Sequence, residues 1–239
     1  MVTGGARGIG AAISRDFVAE GARVLIADVL DEDGKRLADS LGDSAVFVHL
    51  DVTDPEQWAA ALDLARRTFG PVSVLVNNAG IVAFGTIEQT SDETFRRVID
   101  VDLVGAFYGM RAAIPSLREA GDGVIVNISS TAGLMGYGGI AGYVAAKWGL
   151  RGLTKAAALE MATDHIRVAS VHPGPIRTPM TDGMGDETIA GQPIGRFGEP
   201  EEVAHMVTFI ASEATFSTGS EFVVDGGAVA GQVVAVPAN

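Results

Sequence analysis

Two rhythms of apolar and polar positions alternate along this chain. Short runs that are apolar almost throughout recur at Ala22–Asp28, Val46–Val52, Val72–Val76, Val124–Ile128, Val168–His172 and Glu221–Asp225. Between them the apolar positions take helical spacing. Ile9, Ala12, Ile13 and Phe17 predict a first helix, and residues 31–41 a second with a polar face. Asp54 before Pro55 is a cap-and-start signal for a third, running to about Phe69. The run Thr90-Ser91-Asp92-Glu93 reads as a capping box that opens a long helix reaching toward Pro115. A further helix carries Tyr143 and Lys147 and continues to about Met161, and Glu201–Ser212 predicts another. Runs apolar on both faces, regularly interrupted by helices, imply a parallel, doubly wound α/β sheet with helices on both faces.

The first strand stands apart. Only Met1, Val2 and Thr3 precede the first glycines, whereas a buried strand takes roughly 4–8 residues. The pattern therefore predicts a truncated first strand. Residues 179–198, rich in Gly, Met and Pro, predict a loose segment able to act as a lid. Many small residues on the Tyr143 helix, among them Gly142, Ala145, Ala146, Gly149 and Gly152, predict close packing against another helix, of this chain or of a second copy. The final dozen residues lack periodicity. With no repeat and no linker, residues 1–239 read as one domain.

Composition narrows the function. A formal net charge of −13 with no Lys/Arg cluster argues against nucleic acid and anionic membranes as partners. It also disfavours docking to an acidic carrier protein. No apolar run approaches the roughly 20 residues of a membrane span. Cys is absent, which removes disulfides and thiolate metal sites, so no metal is expected. These features, with no signal-peptide pattern, favour the cytoplasm.

The chemistry gathers at three places. The loop Gly4-Gly5-Ala6-Arg7-Gly8-Ile9-Gly10 opens a helix, where glycines allow close approach of a phosphate to unpaired backbone N–H groups. Asp28 ends the following strand, eighteen residues after Gly10. In a dinucleotide site such an acid bonds the adenosine ribose hydroxyls and repels a 2′-phosphate, which argues for NAD over NADP; Arg7 pulls weakly the other way. Tyr143 and Lys147 are four apart and share a helix face, so the ammonium can favour the phenolate. Ser130 follows an apolar strand that is read as ending there, with its hydroxyl aimed into the same crevice. Hydroxyl, phenol and ammonium make a proton-transfer site for an alcohol–ketone pair.

Over almost its whole length the chain resembles the classical short-chain dehydrogenase/reductases. The matching motifs are Thr3-Gly4-Gly5-Ala6-Arg7-Gly8-Ile9-Gly10, Asp51-Val52, Asn77-Asn78-Ala79-Gly80, Ser130, Tyr143-x-x-x-Lys147 and Pro173-Gly174. Within that family it is similar to bacterial NAD-dependent hydroxysteroid dehydrogenases, in stretches such as 27–32, 49–53, 133–136 and 222–227. The resemblance implies a single Rossmann-type domain with a parallel seven-stranded sheet, and a homotetramer. It implies that Tyr143 exchanges a proton with the substrate oxygen, that Ser130 hydrogen-bonds that oxygen, and that Lys147 binds the nicotinamide ribose. Asp51 and Val52 would then meet adenine. Asn78, Ala79 and Gly80 would line the ribose, and Pro173, Gly174, Ile176 and Thr178 the nicotinamide end. Leu134, Met135 and residues 179–198 would shape an apolar substrate pocket. At Asp102 the family usually carries Asn, a member of its proton relay, so Asp102 joins the catalytic candidates as a departure. The resulting expectation is hydride transfer between NAD(H) and an apolar secondary alcohol or ketone, such as a hydroxysteroid. The alternatives are an NADPH-dependent 3-oxoacyl reductase and a non-catalytic dinucleotide sensor.

Overall fold

The computed structural model describes residues 1–231; residues 232–239, most of the aperiodic end, lie outside the described part. β1 (Val2–Thr3) leads through the glycine loop into α1 (Gly8–Ala19). β2 (Val24–Asp28), α2 (Asp31–Leu41), β3 (Ala45–His49), α3 (Pro55–Phe69) and β4 (Val74–Asn77) follow in alternation. A long helical stretch comes next: α4 (Asp92–Ile99) and α5 (Gly105–Ala120), joined by a π-helical turn at Asp100–Val104. Beyond it lie β5 (Val124–Ile128), α6 (Ala141–Met161), β6 (Arg167–Pro173), α7 (Pro200–Ser212) and β7 (Glu221–Val224).

The strands form one seven-stranded sheet of parallel pairs in the order β3-β2-β1-β4-β5-β6-β7. Alternate side chains of each strand enter opposite layers, as the period of two requires. In β2, Val24 and Ile26 join a core with Ile13, Leu37, Val203 and Val207 under α1, α2 and α7. Leu25 and Ala27 point the other way, to Trp58, Ala61, Met110 and Leu117 under α3 and α5. This two-sided burial explains why the strand sequences are apolar throughout.

The two-residue β1 occupies the centre of the sheet, with Val2 beside both Ile26 and Val76. Met1 extends the pairing: its ammonium donates to the Val74 carbonyl at 2.8 Å, and its own carbonyl accepts from Val76 N at 2.9 Å. Burial lowers that ammonium's pKa to about 5. A cavity of about 430 Å³ adjoins it, lined in part by Met1, Leu25, Val72 and Val74.

Three local expectations are corrected. The cap of α4 is Ser91, whose hydroxyl accepts from Thr94 N at 3.1 Å, while Thr90 turns back to the Thr86 carbonyl at 2.8 Å. The helix also runs past Pro115 to Ala120, because buried Ala113 and Leu117 hold its inner face on the sheet. β5 ends at Ile128, and Ser130 lies in the turn beyond it, where its side chain caps the short helical turn Thr131–Gly133. On α6, Gly142 faces Val98 and Phe95, and Gly149 faces Leu103, so part of the small-residue face packs within the chain. Gly152 and the exposed Ala145 do not.

Candidate active site

The strand order reverses between β1 and β4, and the crevice past the carboxyl ends of a sheet at such a point is where α/β folds take ligands. A cavity of about 850 Å³ opens there. One end is built by the glycine loop. Gly4 has φ +58°, and a Cβ on it would stand 2.8 Å from Ala79 Cα. A Cβ on Gly10 would stand 2.1 Å from the Gly4 carbonyl oxygen, so α1 starts as close to the loop as glycine permits. Asn78 staples this arrangement, donating to the carbonyls of Thr3 at 2.9 Å and Gly4 at 3.0 Å, while Thr3 Oγ1 accepts from Asn78 N at 3.0 Å.

Asp28 stands at the end of β2 and is buried, 7 % exposed. Its carboxylate accepts from Ala6 N at 3.0 Å and Leu30 N at 3.1 Å, so its charge is held in place at the cavity wall. Asp51 is half-buried and is tied to Thr53 N at 2.9 Å. The carbonyl of Val52 accepts from the indole of the fully buried Trp58 at 2.9 Å.

At the other end α6 brings Tyr143 and Lys147 beside the turn that follows β5. Ser130 Oγ accepts from Ala132 N at 3.0 Å, which leaves its proton free to donate into the cavity. Lys147 is 3 % exposed; its Nζ donates to the Ile128 carbonyl at 3.0 Å, lies 3.3 Å from Asp102 Oδ2, and stands 5.2 Å from the centre of the Tyr143 ring. Asp102 is 1 % exposed within the π-helical turn, and its Oδ1 accepts from Ile81 N at 2.8 Å. Such turns cluster at functional sites because they re-aim one side chain of a helix.

The charges of this group are coupled. Burial lifts the Asp102 carboxyl above its ordinary pKa, and the Lys147 charge offsets this only in part. Burial draws the Lys147 ammonium down, but Asp102 and Tyr143 outweigh that and leave it raised. Burial pushes the Tyr143 phenol up; Lys147 pulls it back, Asp102 pushes it further up, and the Ser130 hydroxyl draws it down, with a raised value as the result.

Gly4, Arg7, Gly8, Ile9, Asp28, Asp51, Val52, Asn78, Ala79, Gly80, Ser130, Tyr143, Lys147, Pro173, Gly174, Ile176 and Thr178 line the one cavity. Gly10 and Asp102 do not; they lie behind its wall, the first under the glycine loop and the second behind Lys147. Leu134 and Met135, expected in the substrate pocket, are absent from the lining, and Met135 is 41 % exposed. Of residues 179–198 only Pro179, Met180 and Thr181 reach the cavity. The reading of the sequence missed Arg96, Arg97 and Asp100, which line the mouth from α4 and the π-turn. Their helical spacing was visible, but not which side of α4 faces the crevice. Among the described residues no cluster could hold a metal ion, and no helix is long and apolar enough to cross a membrane.

Residues 4–229 match a family model described as enoyl-(acyl carrier protein) reductase. The chain is 53% identical to a 3-alpha-(or 20-beta)-hydroxysteroid dehydrogenase of Mycobacterium tuberculosis, over 97% of this chain and 89% of that one. It is 41% identical to an NADP-dependent (R)-specific alcohol dehydrogenase of Lentilactobacillus kefiri, over 95% of this chain and 94% of that one. Among solved structures, a short-chain type dehydrogenase/reductase from Mycobacterium marinum superposes with a TM-score of 0.91 at 32% identity, covering 95% of this chain and 94% of the other.

Proposed function

This chain belongs to the short-chain dehydrogenase/reductase family, and from that premise we propose that it transfers hydride between NAD(H) and an apolar secondary alcohol or ketone, a hydroxysteroid or a similar molecule. The observation that carries the reading is one cavity with a phosphate-ready glycine loop at one end and Ser130, Tyr143 and Lys147 at the other. A dinucleotide fits what the chain offers: a glycine loop that lines the cavity at Gly4 and Gly8, backbone N–H groups at the start of α1, and a cavity of about 850 Å³. When bound, the nicotinamide supplies or takes up the hydride at the carbinol carbon. Asp28 supports NAD, since its carboxylate is locked by two backbone N–H groups where a 2′-phosphate would add like charge. The alcohol dehydrogenase of L. kefiri, named NADP-dependent, makes cofactor choice the part to measure.

In the reductive direction the Tyr143 phenol gives its proton to the substrate oxygen. The Ser130 hydroxyl hydrogen-bonds the same oxygen and steadies its developing charge. Lys147 holds its cation beside the ring and favours the phenolate that forms. With the phenol's pKa raised, reduction is the direction favoured at neutral pH and oxidation at alkaline pH. In this reading residues 1–239 are one NAD-binding domain. Absence of Cys fits the cytoplasm, and the exposed Ala145 and Trp148 of α6 fit self-association as a homotetramer.

The test is ketone-dependent oxidation of NADH, with NADPH in parallel, across steroid and simple cyclic ketones. The proposal expects turnover with NADH at least about tenfold more efficient than with NADPH. Preference for NADPH would overturn the cofactor assignment. Tight NADH binding without turnover of any ketone would overturn the enzyme reading.

A further inference from the structure

His172 lies fully buried one residue before the end of β6, and nothing in the proton transfer just described uses it. Both of its ring nitrogens are committed. Nδ1 lies 3.0 Å from the backbone carbonyl of Ser130, and Nε2 lies 2.9 Å from the hydroxyl of Ser170, itself fully buried. A carbonyl oxygen only accepts, so Nδ1 carries the proton and Nε2 takes the hydrogen bond from Ser170. The neutral ring is thereby fixed in one tautomer and one orientation.

The turn it touches holds the candidate hydroxyl. Ser129 N donates to the Val171 carbonyl at 2.8 Å, and Ser129 Oγ donates to the Lys147 carbonyl at 3.3 Å. Those two contacts fix the residue before Ser130. The imidazole of His172 holds Ser130 from its carbonyl, which also accepts from Gly133 N at 2.9 Å, opposite the Ala132 N–H that orients Oγ. We propose that His172 is a positioning residue that aims the Ser130 hydroxyl at the substrate oxygen, and that it does so through its Nδ1–H. The proposal rests on the dehydrogenase reading of the same cavity.

A proton on this ring has no carboxylate to meet. Glu221 of β7 faces it, but that carboxylate is engaged by Arg151 and Lys155 of α6, each at 2.7 Å, and Arg151 and Lys147 add repulsion. Burial first, then those cations, outweighs the Ser130 carbonyl and Glu221 and lowers the pKa of His172.

Three variants of the whole enzyme test this. In His172→Asn an amide N–H can still reach the Ser130 carbonyl and cannot titrate; in His172→Leu the donor is lost; Ser130→Ala marks the loss of the hydroxyl. For His172→Leu we expect kcat for ketone reduction to drop about tenfold, with Kd for NADH kept within about twofold, measured well below the melting point. His172→Asn should keep kcat within about twofold of wild type. Introducing His172→Leu into Ser130→Ala should add no further loss. Equal kcat in folded His172→Leu and wild type, or a loss in His172→Asn as large as in His172→Leu, would overturn the proposal. Nitrogen-15 spectra of labelled histidine, assigned by the loss of one signal in His172→Asn, give a readout that needs no turnover. At neutral pH they should show an Nδ1–H ring; an Nε2–H ring would overturn the proposal. A wild type that turns over no ketone while its His172 is the neutral Nδ1–H form would count against the dehydrogenase reading alone.

Discussion

Replacing Asp102 by asparagine removes a negative charge from beside the Lys147 ammonium and keeps an oxygen for the Ile81 N–H. Lys147 Nζ lies 3.3 Å from Asp102 Oδ2 and 5.2 Å from the Tyr143 ring centre. The carboxylate is therefore no farther than roughly 8.5 Å from the ring, where two unit charges at an effective dielectric near 20 interact by about 2 kcal/mol. That energy opposes the phenolate, so its removal should increase the phenolate fraction by about tenfold or more at any pH below the Tyr143 titration. Asp102→Asn is expected to raise kcat/KM for alcohol oxidation near neutral pH by about tenfold and to carry the rising alkaline limb to lower pH. Ketone reduction, which draws on the protonated phenol, should change far less. The assay is the pH dependence of kcat/KM in both directions for both proteins, with melting curves and NADH affinity as controls. Superimposed oxidation profiles from two folded, NADH-binding proteins would refute the reasoning and mean that Asp102 carries a proton in the wild type.

Two other outcomes follow from the geometry. Gly10→Ala places a Cβ 2.1 Å from the Gly4 carbonyl oxygen and 2.6 Å from Asn78 Nδ2, so the loop must shift. Fluorescence titration should show NADH affinity down by about tenfold and thermal melts a loss of about 1–3 kcal/mol; unchanged affinity would contradict the cradle. Arg151 and Lys155 hold the Glu221 carboxyl below its ordinary pKa of 4.5, at about 2. Its stabilisation is therefore complete above pH 4.5 and is lost as pH falls toward 2, so urea melts of Glu221→Gln should show a deficit of about 1 kcal/mol at pH 7 that shrinks below pH 4.5. A deficit independent of pH would show that the ion pair is not its source.

The layered sheet was legible because its physics is local in sequence. A strand buried on both faces has to be apolar throughout, as Leu25 and Ile26 are on opposite cores, and a helix has to be apolar on one side. Tyr143 and Lys147 were legible for a similar reason, since four residues of helix bring two side chains to one face. What stayed hidden depends on contacts across the chain. Four polar residues in a row, Thr90 to Glu93, offer two frames for a cap, and only packing selects Ser91. The π-turn that buries Asp102 has no local signature. Neither does the buried chain in which Asn77 donates to Asn127 at 2.9 Å and Asn127 to Thr154 at 2.9 Å, tying β4, β5 and α6 together. The family resemblance put Leu134 and Met135 in a pocket wall that they do not line, because a loop's direction is set by what it meets in this chain. His172, read as the end of a strand, gained meaning only when β6 lay beside the Ser130 turn.

The central claim is that the phenol of Tyr143 performs proton transfer for hydride exchange in this cavity. Its most direct test is Tyr143→Phe, with kcat for NADH-dependent ketone reduction and Kd for NADH measured on the same preparation. The account predicts turnover reduced by a factor of about a thousand or more, with NADH bound within about twofold of wild type. Tyr143→Phe turning over ketone at the wild-type rate would contradict it.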